Sequence, residues 1–185
     1  MLTIQLAFFL IFTGVIVWVS RPALREPHSH GFARTFAWEA ITILIALNLR
    51  YWIIDPFSWH QLISWPLLFL SLGMIIPAVR LFRSKGRLDA ERDTDPSLIG
   101  IEKTTELVTT GLYRYIRHPF YSSLLYLAWG AAFKQLTWLT VGLALATTLF
   151  LVITARREEI ENIRYFGQPY QDYMQHTKMF IPWVL

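Results

Sequence analysis

The sequence contains no cysteine and few charged residues. The absence of cysteine excludes disulfides, thiolate metal sites and a cysteine nucleophile, and it leaves the redox compartment open. Charged residues make up only 16% of the 185 residues, and the formal net charge is +4. This charge is too small and too dispersed to indicate a nucleic acid partner, although it suits anionic lipid headgroups.

Hydrophobic residues account for 54% of the chain, more than one small soluble core would bury. Hydropathy marks five apolar segments: Leu2 to Val19, Phe36 to Ile54, Leu62 to Phe82, Pro119 to Phe133 and Leu136 to Ala155. The fourth is short, because about 15 helical residues reach only roughly 22 Å against a hydrocarbon core of about 30 Å. We predict an all-α polytopic membrane bundle, one domain over residues 1–185, with a C-terminal helical hairpin and short cytoplasmic C-terminal helices.

Lysine and arginine fall almost entirely on one side of this bundle. Only Arg50 and Lys134 lie on the opposite side. Because basic connections are retained in the cytoplasm, we predict an integral membrane protein with its N-terminus outside and its C-terminus in the cytoplasm. The long polar connection between Arg83 and Thr110 is then cytoplasmic, and it is either a solvated loop or a lid over a site.

Polar and aromatic residues crowd the start of the fourth span. From Gly111 to Tyr121 the chain reads Gly-x-Tyr-Arg-x-Ile-Arg-His-Pro-x-Tyr. Pro119 suits the first turn of a helix, where its missing N–H would be unpaired in any case. The pattern therefore places Arg117 and His118 at the cytoplasmic membrane surface.

A second polar group follows the fifth span. It begins with Glu158 and Glu159 on a predicted continuation of the helix, which Gly167 should end and after which Pro169 should begin another short helix. Carboxylates at this interface oppose its excess of basic residues, so they call for a cationic partner. This partner is either an arginine of the first motif or an external cation. Alternatively, the segment is an ordinary interfacial helix whose carboxylates form local ion pairs.

These two motifs, joined by a hairpin, resemble those of the isoprenylcysteine carboxyl methyltransferase and phospholipid methyltransferase superfamily. The second motif reads Glu-Glu-x(6)-Phe-Gly-x-x-Tyr-x-x-Tyr and is followed by Phe-Ile-Pro, so that the resemblance covers residues 105–182. It implies an integral membrane enzyme that binds S-adenosylmethionine on the cytosolic side without a Rossmann domain. The absence of a Gly-x-Gly-x-x-Gly motif agrees with this.

The resemblance also implies roles for individual residues. The positions that match the cofactor site are Leu107, Val108, Tyr113, His118, Pro119, Tyr121 and Glu158. Glu158 is expected to hold the amino group of the cofactor, with Glu159 as the adjacent candidate. Arg117 is expected to orient an anionic acceptor or to stabilise the transition state. Methyl transfer by proximity and desolvation needs no metal, and we predict no metal site.

One position departs from the carboxyl methyltransferases of this superfamily. They have an arginine, read as engaging the substrate carboxylate, four residues before the first glutamate of the pair, where this chain has Thr154. Arg156 and Arg157 could substitute for it from another face of the helix. The methyl acceptor therefore stays open among a prenylcysteine carboxylate, a phosphatidylethanolamine amine and a small hydrophobic thiol or acid. For an amine, His118 or Glu159 would act as general base.

The sequence thus predicts a membrane methyltransferase with a hydrophobic or lipidated acceptor, most like isoprenylcysteine carboxyl methyltransferase. The alternatives are a phospholipid N-methyltransferase, an NADPH-dependent enzyme like the sterol reductases, and a membrane scaffold without activity. The adjacent glutamates argue against NADPH, because carboxylates suit a cationic cofactor better than a polyphosphate. The sequence indicates no oligomeric state.

Overall fold

The protein is described here by a computed structural model that covers residues 1–85 and 106–184. Within these ranges it contains six α-helices: α1 (Leu2–Leu24), α2 (His30–Asn48), α3 (Trp59–Lys85), α4 (Pro119–Ala132), α5 (Trp138–Phe166) and α6 (Gln168–His176). Short 3-10 turns span Leu49–Tyr51 and Gly111–Arg114. The predicted all-α bundle is confirmed. The predicted loop or lid between Arg83 and Thr110 lies largely outside the described residues.

Four of the described helices, α1, α2, α3 and α5, are long and apolar enough to cross a membrane. The predicted fourth span forms α4, whose 14 residues give a length of only about 21 Å. By contrast, the 29 residues of α5 reach about 43 Å, so that its polar end extends beyond a hydrocarbon core of about 30 Å. The polar end of α5 and the start of α4 lie together at one end of the bundle, where both line the same pocket.

Helix α2 packs against α1, α4 and α5, and α3 packs against α4. Two apolar clusters fill these contacts, one near the site and one toward the other end. The first contains Ala37, Tyr121, Leu125, Leu151, Ala155 and Phe180, and the second contains Ile41, Leu44, Ala128, Ala131, Ala132 and Ala144. The many alanines let the helix backbones approach closely, as small residues do in membrane bundles. Large apolar side chains on α1 and α3 stay exposed, which suits contact with lipid.

Helix boundaries follow local signals in the sequence. Helix α4 begins at Pro119 as predicted. Gly167 ends α5 with a positive φ of 67°, a conformation that glycine adopts without strain, and α6 begins directly after it. Helix α2 begins at His30 rather than at the predicted Phe36, because the side chain of Ser29 accepts a hydrogen bond from the backbone N–H of Phe32 and caps the helix.

The short helix α4 ends inside the bundle, where its last carbonyl groups bond to side chains of other helices. Asn48 Nδ2 donates to the carbonyl oxygen of Ala131 at 2.7 Å. The hydroxyl of Ser64 donates to the carbonyl oxygen of Gly130, also at 2.7 Å. Unpaired carbonyl groups would be costly in an apolar bundle, so these bonds stabilise the early end of α4.

Lys134 follows the end of α4 and is fully buried. Its ammonium group donates to Gln61 Oε1 at 2.9 Å and lies 3.4 Å from the centroid of the Trp65 ring. A cation at a helix C-terminus interacts favourably with the helix dipole, and an aromatic face partly replaces water around it. These contacts anchor α4 at the end opposite to the one that carries the first motif.

The closing segment of the chain lies against the first motif. Lys178 N–H donates to the carbonyl oxygen of Tyr115 at 3.0 Å. In return, the backbone N–H groups of Arg117 and His118 donate to the carbonyl oxygens of Lys178 and Met179 at 2.8 and 3.2 Å. The backbone of the arginine–histidine pair is therefore held by a segment more than one helix away along the chain.

Candidate functional site

The start of α4, the polar end of α5 and helix α6 enclose a pocket. Its lining consists of Glu106, Leu107, Val108, Tyr113, Arg117, His118, Pro119, Phe120, Tyr121, Glu158, Asn162, Phe166, Tyr170 and Tyr173. Every residue predicted to hold the cofactor is in this lining, and so is Arg117. Glu159 is outside the lining, but it is buried directly behind two of the lining side chains.

Arg117 connects three parts of the structure. Its Nε donates to Glu159 Oε1 at 2.7 Å, and both side chains are nearly buried. Its Nη1 donates to the carbonyl oxygens of Met174 and Thr177, at 3.3 and 2.5 Å. The guanidinium thus bonds the first motif to the carboxylate of α5 and to the C-terminal end of α6. Such a charge-assisted pair is stronger than a neutral hydrogen bond.

His118 lies between the two carboxylates. Its Nε2 is 3.4 Å from Glu159 Oε1, and its Nδ1 is 3.8 Å from Glu158 Oε2. The imidazole is buried and stacks on the ring of Tyr121, with 5.4 Å between the ring centroids. The hydroxyl of Tyr121 donates to Glu158 Oε2 at 2.5 Å. Glu158 is therefore oriented toward the pocket by a partner from the first motif.

Helix α6 supplies an aromatic wall. Tyr170 stacks on Phe166, with 6.3 Å between the centroids, and the Tyr173 hydroxyl donates to the carbonyl oxygen of Tyr113 at 2.6 Å. Burial raises the pKa of both α6 tyrosines, and the negative charge of Glu158 raises the pKa of Tyr170 further. Both phenols are therefore neutral near pH 7, and the wall is uncharged.

The pocket combines groups that suit a ligand with mixed charges. A carboxylate and several aromatic faces are the surroundings that a sulfonium or an ammonium group requires. A guanidinium with donors in a planar fork suits a carboxylate. Among the residues that the structure describes, no cluster of three or more histidine, aspartate and glutamate side chains could hold a metal ion.

Two arginines that the sequence offered as substitutes at the site lie elsewhere. Arg156 is exposed and is not part of the pocket lining. Arg157 donates to the carbonyl oxygens of Pro27 and Ser29, at 2.8 and 3.0 Å, and so holds the connection between α1 and α2. The geometry gives neither of them a part in the pocket.

Several lining residues were not singled out from the sequence: Glu106, Phe120, Asn162, Phe166, Tyr170 and Tyr173. The last three are specified positions of the second motif pattern, so the motif could have been used to predict them as site residues. Asn162 follows Glu158 by four residues, which places both on one face of α5. The bond between buried His30 Nδ1 and Glu161 Oε2, at 2.6 Å, joins residues too far apart in sequence for any local pattern to predict.

Comparisons with known proteins agree with the two motifs. The model of the phospholipid methyltransferase family matches residues 97–169. A methanethiol S-methyltransferase of Pseudomonas deceptionensis is 28% identical over 142 residues, which cover 74% of this chain and 51% of the relative. Methanethiol S-methyltransferase 1 of Bradyrhizobium diazoefficiens is 33% identical over 46% of this chain. Methanethiol S-methyltransferase 2 of the same organism is 30% identical over 73% of this chain.

The chain spans about half the length of these curated relatives or less, with 30% and 48% of the two Bradyrhizobium proteins covered. No solved structure matches it. The matches confirm the resemblance to this superfamily of membrane methyltransferases. The relatives are methyltransferases by name, in agreement with the predicted enzyme class.

Proposed function

We propose that the chain is an integral membrane enzyme that transfers a methyl group from S-adenosylmethionine to a small apolar thiol. The observation that carries this proposal is the pocket itself. Both motifs contribute to it, and it combines the Glu158 carboxylate, the Arg117 guanidinium and an aromatic wall. These groups match the ammonium, carboxylate, sulfonium and adenine groups of the cofactor.

Glu158 is the residue best placed to bind the cofactor ammonium. It lines the pocket, and its hydrogen bond from Tyr121 fixes the direction of its carboxylate. The α6 aromatic residues then serve as the surface for the adenine ring or the sulfonium. S-adenosylmethionine supplies an electrophilic methyl group. The protein holds cofactor and acceptor in line and excludes water from the attacking sulfur.

The choice of a thiol as acceptor rests on the relatives and on Thr154. The Pseudomonas and Bradyrhizobium relatives described above are named for S-methylation of methanethiol. The arginine that would engage a carboxylate is replaced by Thr154, which is fully buried and donates to the carbonyl oxygen of Phe150 at 2.7 Å. Exposed Arg156 does not take its place. A small thiol needs no guanidinium of this kind, whereas a prenylcysteine carboxylate would.

The proposed orientation places the pocket on the cytoplasmic side, where the donor is made. Basic residues of the connections favour this side, and the polar end of α5 extends beyond the membrane there. An apolar acceptor can reach the start of α4 from the bilayer. The cofactor enters from water.

Purified protein in detergent tests this function in two steps. Calorimetric titration with S-adenosylmethionine should show binding, and titration with NADPH should show none. With labelled S-adenosylmethionine, the label should pass to methanethiol and much less to a prenylcysteine or to phosphatidylethanolamine. Transfer to the amine of phosphatidylethanolamine would instead indicate the phospholipid methyltransferase activity after which the matching family model is named. Binding of NADPH alone, or of neither ligand, would contradict the proposal.

A further inference from the structure

Among the residues that the structure describes, the buried charges beside the pocket do not balance unless one more positive charge is present. Glu158 and Glu159 contribute two negative charges and Arg117 one positive charge, and all three side chains are at most about one-fifth exposed. With a neutral imidazole the group carries one net negative charge. With an imidazolium it is neutral. Buried charge without compensation is costly, so the group favours one further positive charge, either on the imidazole or on a bound ligand.

A proton on either ring nitrogen of His118 faces a carboxylate. The two ring nitrogens of His118 face different carboxylates, at 3.4 Å for Glu159 and 3.8 Å for Glu158. The described aromatic rings in contact with it are uncharged: the imidazole stacks on Tyr121 and contacts Phe180 edge to face. Tyr170 in the pocket wall stays neutral, and Glu106 is exposed, so that water screens its charge.

The proposed cofactor changes its charge during the reaction. S-adenosylmethionine carries a sulfonium, an ammonium and a carboxylate, so its net charge is one positive. Its product, S-adenosylhomocysteine, has a neutral thioether in place of the sulfonium and no net charge. Bound S-adenosylmethionine therefore balances the group when His118 is neutral. The bound product balances it only when His118 is protonated.

We propose that His118 accepts the proton that the reaction releases. Its imidazole is neutral when the positively charged S-adenosylmethionine is bound and protonated when the uncharged product is bound. Binding of S-adenosylmethionine displaces the proton, and methyl transfer returns one. The S–H bond of the acceptor breaks and its proton ends on the imidazole. The acceptor sulfur forms the new S–CH3 bond, and the electron pair of the broken C–S bond stays on the cofactor sulfur. This role rests on the proposed function of the pocket.

Proton release on binding tests this assignment before any turnover. Calorimetric titrations of wild-type protein near pH 7, in phosphate and in Tris, give the number of protons released with each ligand, because the buffers differ in ionisation enthalpy. S-adenosylmethionine should release close to one proton more than S-adenosylhomocysteine. In His118→Gln the difference should disappear. In the control His28→Gln, which changes an exposed histidine outside the pocket, it should persist.

The outcomes separate this inference from the function. If neither ligand binds, the function itself is wrong. If both ligands bind the wild type with equal proton release, the function stands and the role of His118 is wrong. A difference that persists in His118→Gln assigns the proton to another group and also overturns the role. If that variant does not fold, nitrogen NMR of histidine-labelled wild type decides: one imidazole should lose its proton when the cofactor replaces the product, and an unchanged spectrum contradicts the proposal.

Discussion

Arg117 Nε and Glu159 Oε1 lie 2.7 Å apart, and this pair joins the two motifs of the chain across 42 positions of sequence. The same guanidinium donates to two carbonyl oxygens at the end of α6. Helix α6 provides the aromatic wall of the pocket. We therefore propose a positioning role for Arg117 in addition to the substrate-facing role that the sequence suggested.

Arg117→Lys separates these two roles. A lysine keeps the charge but cannot bond Glu159, Met174 and Thr177 in the same directions. If Arg117 serves only the acceptor, turnover should fall and the affinity for S-adenosylmethionine should hold. The contacts predict that affinity falls as well, because α6 and Glu159 lose their bonds to the guanidinium. The fall should be at most roughly 30-fold, which corresponds to the whole cost of about 2 kcal/mol for a lost hydrogen bond to a charged group. Kinetics and cofactor titration of one preparation measure both quantities.

Glu158→Gln should weaken binding of S-adenosylmethionine without unfolding the protein. Glutamine keeps a hydrogen-bond acceptor for Tyr121 but removes the charge proposed to pair with the cofactor ammonium. Truncating one partner of a desolvated charge pair costs about 2 to 5 kcal/mol, or at least about 30-fold in Kd. Calorimetric titration measures this change, and thermal denaturation shows whether the fold is intact.

Glu161→Gln is the matched control for this prediction. Glu161 is on the same helix, but it bonds His30 and is not part of the pocket lining. Its replacement should change the Kd for S-adenosylmethionine by no more than about twofold, because an effect through distant screened charge is small. Equal losses in both variants would show that Glu158 acts only through the general charge of α5.

Where the sequence predicted well, the signal was local. A proline at the first turn marked the start of α4, and Gly167 marked the break between α5 and α6. The residues assigned to the cofactor by motif position all line the pocket. A motif can predict which residues line a pocket because its residues lie at one helix start or on one helix face, and so stay close together in the fold.

Other features depend on how the helices pack. The sequence left the partner of the glutamates open between an arginine and an external cation, and the structure pairs Arg117 with Glu159. It offered Arg156 as a substitute for the missing arginine, yet the rotation of α5 leaves Arg156 exposed. That rotation is set by contacts of α5 with α2 and α4, and no pattern within α5 specifies it.

The proposed orientation can be tested by labelling, since the natural chain has no cysteine. Single cysteines at exposed Gln168 in α6 and at partly exposed Gln135 in the turn after α4 should lie on opposite sides of the membrane. In intact cells an impermeant thiol reagent should label Gln135→Cys and not Gln168→Cys. Permeabilised cells should show labelling of both. The reverse pattern would invert the proposed orientation.

The buried lysine at the other end of the bundle should give the stability of the protein a distinct pH dependence. Burial lowers the pKa of Lys134 from 10.5 to about 8. Between these values the unfolded chain binds more protons than the folded protein, so the free energy of unfolding should rise with pH across this interval. Below about pH 8 both states are protonated, and this contribution to the slope vanishes.

Lys134→Met isolates this contribution, because methionine keeps an unbranched apolar side chain against Trp65 and cannot titrate. Thermal denaturation in detergent should show wild type gaining stability relative to the variant as the pH rises from about 7.5 to 10.5. Groups that titrate elsewhere affect both proteins equally and cancel in the difference. Parallel curves would contradict the prediction. They would mean that the Trp65 ring and Gln61 stabilise the ammonium as well as water does, so that Lys134 keeps its proton in the folded state throughout this range.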